Sequence, residues 1–292
     1  MRCFLSFSIL AALFSLVSCG GDAADGSSAA EPKSESGMSK TRYVDVMYDI
    51  QLLADNVPYS NGFGIAQGQE RRLSIHAPQN DGEKNRPAIV FVGGGGFVDV
   101  SQDCVHDLSV TMARKGYVSV VPAYSCISAP EFAKDSFEFV LKKAAEDLDE
   151  AVRWIKSKSE KYGVNANEIY IVGYSTGADV VVNYYYTDAL VEDAEREGVR
   201  GVVAISGGNI LKSELNKDLP KGATAKCLVV SGKCHDRSSC GGLDAAKALC
   251  KYLGDISESC YMEDECNKFV RGNEEDELQE CVTSFLKKNM LR

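Results

Sequence analysis

Apolar positions along the chain fall into two alternating patterns. Short unbroken runs rich in valine and isoleucine occur at Ala88–Val92, Tyr117–Val121, Glu168–Val172, Val199–Ser206 and Cys227–Ser231. Such runs, without polar alternation, read as strands buried on both faces of a parallel sheet. Between them the apolar residues recur at helical spacing, most clearly at Leu141, Ala144, Leu148, Ala151, Val152 and Ile155. Further helices are predicted near Cys104–Lys115, from Ser175 to about Tyr186, near Leu243–Leu253 and near Asp276–Lys288. Two short strands, Tyr43–Met47 and Arg72–His76, precede this alternation as an antiparallel start to the sheet. The order predicts a single α/β domain over residues 41–292, with one mostly parallel sheet and helices on both faces. The run Tyr184-Tyr185-Tyr186 reads as helix packing rather than a sugar platform.

The N-terminus follows different rules. Arg2 precedes an apolar run from Phe4 to Val17, too short to span a bilayer, so residues 1–18 read as a secretory signal. The run closes on Leu16-Val17-Ser18-Cys19-Gly20, which resembles a bacterial lipobox. That resemblance implies cleavage before Cys19, lipidation of its thiol and amine, and anchoring through several acyl chains. Gly20 after the cysteine implies an outer-membrane destination, on either its periplasmic or its surface face. A plain signal peptide is the alternative. Residues 19–40 contain almost no large apolar side chain and read as a flexible tether.

Charge and cysteine content narrow the partners. A formal net charge of −10 argues against nucleic acid, whose phosphates call for a basic surface. Of the 11 cysteines, Cys3 leaves with the signal and Cys19 carries lipid. The odd number remaining in an exported domain points to disulfides plus at least one unpaired thiol, for which Cys227, opening an apolar strand, is the candidate. The spacing of Cys234, Cys240, Cys250, Cys260, Cys266 and Cys281 fits no common zinc pattern, so no metal is expected.

Two glycine-bearing turns carry the chemistry. Gly173-Tyr174-Ser175-Thr176-Gly177 lies between a predicted strand and a predicted helix, where G-x-S-x-G forms a strained turn. Such a turn lifts the Ser175 hydroxyl above the strand ends and points the Thr176 amide at the same spot. Gly93–Gly96 follow directly on the strand Ala88–Val92, where backbone N–H groups can approach a ligand unobstructed. No G-K-[ST] follows and no G-x-G-x-x-G spacing fits, which disfavours phosphate or dinucleotide binding, and no cofactor is expected. Two such turns on one sheet, one bearing serine, favour acyl transfer.

With these pieces the chain resembles the α/β-hydrolase family, and within it the carboxylesterases related to hormone-sensitive lipase and to bacterial feruloyl or acetyl-xylan esterases. The resemblance runs from about Tyr43 to Lys288 through "RLSIHAP", "RPAIVFVGGGGF", "ARKGYVSVVPAYS" and "NEIYIVGYSTGAD". It implies an α/β-hydrolase fold, Ser175 as nucleophile, and an oxyanion hole from the N–H groups of Gly95, Gly96 and Thr176. The family's H-G-G-G has Gly93 in its histidine position here, which leaves open what supports that loop. The family acid follows the strand Cys227–Ser231, where Asp236 fits, with a turn or helix cap as its alternative role. The family base comes late, before the terminal helix, and "YMEDECNKFVRGNEEDELQEC" contains no histidine; Asn267 or Lys268 lies where one belongs.

Three histidines remain to be weighed. His76 ends a strand far from the expected site, and His106 starts a helix. His235 alone sits on the correct rim, beside Asp236, and reaches Ser175 only if its loop is advanced. In subtilisin, losing the histidine costs about 10⁶ in turnover, while the remaining machinery keeps roughly 10³–10⁴ over water. Two function classes follow. One is an envelope-anchored serine esterase acting on small-molecule or polysaccharide-linked esters. The other is a catalytically degenerate binding protein on the same fold.

Overall fold

The computed structural model describes residues 39–63, 70–97, 103–126, 137–232, 242–262 and 275–291. The valine- and isoleucine-rich runs lie side by side in one sheet of eight strands. These are β1 (Ile50–Phe63), β2 (Glu70–Pro78), β3 (Arg86–Val92), β4 (Val118–Pro122), β5 (Val164–Tyr174), β6 (Val199–Ile205), β7 (Lys226–Gly232) and β8 (Ser257–Met262), in the order β1-β2-β4-β3-β5-β6-β7-β8. β1 pairs antiparallel with β2 and β2 with β4, while every later pairing is parallel. The helices are α1 (Asp103–Arg114), α2 (Phe137–Ser157), a short α3 (Ser159–Tyr162), α4 (Thr176–Tyr186), α5 (Gly242–Leu253) and α6 (Glu275–Lys288).

Burial on both faces explains the unbroken runs. Ala88, Val90 and Val92 of β3 join one core with residues of α2, α4 and α5, whereas Ile89 and Phe91 join a second core with α1 and α6. β5 divides the same way, Ile169 and Ile171 against Tyr170 and Val172. A polar residue at any of these positions would lose a burial contribution of about 1.5–3 kcal/mol and add a desolvation cost. The tyrosine run is packing: Tyr184, Tyr185 and Tyr186 are buried, and their hydroxyls donate to the carbonyls of Glu195, Gly222 and Ala225. Asp147 and Arg71 form a buried ion pair, and the Ser125 N–H also donates to Asp147.

Two departures from the predicted elements have local causes. Tyr43–Met47 is not a strand. Arg42 donates to both carboxylate oxygens of Asp81 at 2.9 and 2.5 Å, and Arg86 Nε reaches the same group at 2.9 Å. The Arg42 guanidinium lies over the Tyr43 and Tyr48 rings, and the Tyr43 N–H donates to Lys115 O at 2.8 Å. This clamp docks the segment against the turn before β4 and the approach to β3, the edge where those strands begin. β8 was not predicted, because "SESCYM" carries no valine or isoleucine; it is recruited by parallel pairing with β7. Cys227 is a buried free thiol as expected, and Cys250, partly buried against the same core, is also free. Residues 1–38, including Cys19, lie outside the described residues.

Candidate active site

β5 ends at Tyr174 and α4 begins at Thr176, so Ser175 alone makes the turn. Its φ of 54° and ψ of −122° are unfavourable for a side-chain-bearing residue, a strain of about 1–3 kcal/mol that surrounding contacts must hold. The holding contacts are clear. The Ser175 N–H donates to Ile205 O and the Ala178 N–H to Ser175 O, each at 2.9 Å. Gly177 meets the end of β3 so closely that a Cβ there would lie 2.2 Å from Val92 O. Ser175 is partly exposed, and Thr176 opens α4, where the first amides have no acceptor in a preceding turn.

The glycine turn after β3 stands directly beside this elbow. Val92 is in register with Gly173, so both turns leave the sheet at one rim. A Cβ on Gly94 would lie 2.9 Å from Ser175 Cβ. Gly95 and Gly96 are exposed, with φ of 137° and 64°, and the Gly96 N–H donates to Thr176 Oγ1 at 3.3 Å. Support for the turn comes from a residue that sequence reasoning passed over. Tyr124, buried after β4, donates its hydroxyl to Gly93 O at 2.8 Å. Phe97 closes the turn at φ 63°, buried against Tyr124 and Phe137 with ring centroids 6.3 and 5.5 Å away.

A third turn, Ser206–Asn209 after β6, packs under the elbow. A Cβ on Gly207 would lie 2.3 Å from Ser175 O. Asp179, one helical turn beyond Ser175, accepts from the N–H groups of Gly208 and Asn209 at 2.8 and 2.7 Å. Burial pushes its carboxyl up to about 6, against the opposing pull of these hydrogen bonds. Asn183 adds a second stitch, donating to Asn209 O and accepting from the Leu211 N–H. Ser206 Oγ is buried with no hydrogen-bond partner among the described residues.

Ser175, Thr176, Gly95 and Gly96 are thus brought together at the carboxyl ends of the parallel strands. β7 ends at Gly232 on the same rim, two strands from β5; His235, Asp236, Asn267 and Lys268 lie outside the described residues. His76 stands on β2, opposite Ser119 of β4, with its ring edge-on to His106 at 6.2 Å. His106 is exposed, with Nδ1 3.2 Å from Asp107. Two strands, β4 and β3, separate β2 from β5 in the sheet. Among the described residues no group of three or more His, Cys, Asp or Glu side chains is arranged to hold a metal ion.

The BD-FAE family model, an α/β-hydrolase-type esterase domain, matches residues 73–214. Esterase 2 of the Planctomycetes species Thermogutta terrifontis, solved with butyrate bound, is 17% identical; the match covers 85% of this chain and 97% of that one, with a TM-score of 0.64. The same esterase phosphonylated by cyclosarin is 17% identical over 80% of this chain and 94% of that one, TM-score 0.63. MGS-M1, an α/β hydrolase enzyme from a Medee basin deep-sea metagenome library, is 15% identical over 75% and 83%, TM-score 0.55. The curated proteins give no match. The fold is that of the α/β hydrolases.

Proposed function

We propose that this chain is a serine hydrolase acting on carboxylic esters. In this reading Ser175 Oγ attacks the ester carbonyl, and the N–H groups of Gly95, Gly96 and Thr176 hold the oxygen that becomes negative. His235 takes the serine proton and Asp236 orients the imidazole, both from the sequence that follows β7. The observation that carries the proposal is the apposition of the strained Ser175 elbow and the glycine turn, with Gly94 against Ser175 and Gly96 bonded to Thr176. The BD-FAE match and the esterases among the structural relatives support it. Hydrolysis of a short-chain nitrophenyl ester should vanish in Ser175→Ala and fall sharply in His235→Ala. Turnover unchanged by Ser175→Ala rejects the proposal.

The alternative is a binding protein on a degenerate hydrolase fold, favoured by the absence of histidine from residues 261–281. It predicts no modification of Ser175 by a fluorophosphonate, so labelling at Ser175 decides against it. For localisation, we propose that Cys19 carries lipid and anchors the protein in the cell envelope, with residues 19–40 as tether and disulfides among the domain's cysteines. The lipobox-like Leu16–Gly20 supports this. Palmitate incorporation that persists in Cys19→Ala would exclude it.

A further inference from the structure

The contact between Gly96 and Thr176 engages a main-chain N–H that the ester-hydrolase reading assigns to the oxyanion. The Gly96 N–H is directed at Thr176 Oγ1, 3.3 Å away, rather than standing open. A threonine hydroxyl can accept one hydrogen bond while donating another. Among the described residues, the Thr176 hydroxyl has no acceptor for its own proton. It is attached to the residue whose main-chain N–H opens α4 beside Ser175, so it moves with the elbow. Thr176 is only 8% exposed, which leaves little water to compete at its hydroxyl.

From this arrangement we infer that the Thr176 hydroxyl is itself an oxyanion donor, polarised by the Gly96 N–H behind it. The inference rests on the ester-hydrolase reading and puts the Thr176 hydroxyl where that reading has the Gly96 N–H. When Ser175 Oγ bonds to the carbonyl carbon, the C=O π pair moves onto oxygen and the serine proton passes to the base, His235 in that reading. The new oxyanion then accepts from the Gly95 and Thr176 main-chain N–H groups and from Thr176 Oγ1–H, and no proton is transferred to it. The Gly96 N–H acts through the hydroxyl, which acquires donor strength by accepting from it. A residue with a hydrocarbon side chain at position 176 would leave the Gly96 N–H without this acceptor and remove one donor together.

The test compares wild type, Ser175→Ala, Thr176→Val and Thr176→Ser in the full chain. Valine keeps the shape and deletes the hydroxyl; serine keeps the hydroxyl. The probes are a short-chain nitrophenyl ester and a trifluoromethyl ketone, whose serine adduct carries an oxyanion. Thr176→Val should lower kcat by about 10²-fold, the lower end of the range for loss of one oxyanion donor. KM should stay within about twofold, since the loss belongs to the transition state. Affinity for the ketone should fall in step with kcat, and Thr176→Ser should restore most of both, with thermal midpoints recorded for each. A Thr176→Val enzyme with wild-type kcat and ketone affinity overturns the inference while leaving the esterase reading intact. Equal losses in the valine and serine variants also overturn it. Absence of Ser175-dependent turnover in wild type overturns both.

Discussion

Replacing Gly177 with alanine adds one carbon where α4, β3 and the glycine turn meet. The added Cβ would lie 2.2 Å from Val92 O and 2.5 Å from Gly93 O, both main-chain atoms that no side-chain rotation can clear. Reaching ordinary contact requires the start of α4 and the end of β3 to separate by more than about 1 Å, given the ~3.5–4.0 Å optimum between nonbonded carbons. Overpacking of this kind costs about 1–3 kcal/mol. For a chain of this size that corresponds to a fall in thermal midpoint of roughly 3–9 °C. Activity should suffer more, because the shift parts the Thr176 amide and hydroxyl from Gly95 and Gly96. A 1 Å misplacement can cost ~10²-fold in rate. Differential scanning fluorimetry and ester hydrolysis on one preparation separate the two effects. Gly82→Ala is the control: it is exposed, and a Cβ there meets nothing within 4 Å. A Gly177→Ala protein with unaltered midpoint and kcat would refute the close approach and the alignment built on it.

Other expectations follow from the same contacts. Tyr124→Phe strips Gly93 O of its donor and should cost about 1–3 kcal/mol by leaving a buried carbonyl unpaired, with reduced kcat as the glycine turn loosens; melting and turnover test it. Asp179 titrates near 6 in the folded chain, above its ordinary value, because burial disfavours its charge. Its protonated form therefore favours folding at low pH, and stability falls as pH rises from about 4 to 6, by about 3 kcal/mol in total. Chemical denaturation across that range should show this component in wild type and lack it in Asp179→Asn. Asp81 behaves oppositely: Arg42 first, then Arg86, hold its carboxyl far below the usual range, so its contribution is present above about pH 4 and lost on acidification. Asp81→Asn should abolish that acid dependence and cost about 3 kcal/mol at neutral pH, since two guanidinium groups lose their carboxylate. Cys227, whose thiol burial pushes up, should resist alkylation until the protein unfolds.

The parallel core was legible because its residues obey one demand, apolarity on both faces, which leaves unbroken Val/Ile runs. β1 was not, since "IQLLADNVPYSNGF" mixes asparagine, aspartate and proline and pairs with β2 through irregular register. The stretch Tyr43–Met47 has the alternation of a strand, yet Arg42 and Tyr43 spend it on docking. Within the site, Gly173–Gly177 and Gly93–Gly96 announce themselves through local conformational need. Their mutual support does not. Tyr124 is 31 residues from Gly93, and Thr176 is 80 from Gly96. Only the sheet order, which sets β3 between β4 and β5, makes those pairs neighbours.

The Arg42–Asp81–Arg86 clamp also fixes which end of the sheet the first described residues meet. It seats Lys40–Tyr48 where β3 and β4 begin, whereas Ser175 crowns the far tips of the parallel strands. The described chain therefore starts at the amino ends of β3 and β4, with the full length of the parallel strands between Lys40–Tyr48 and Ser175.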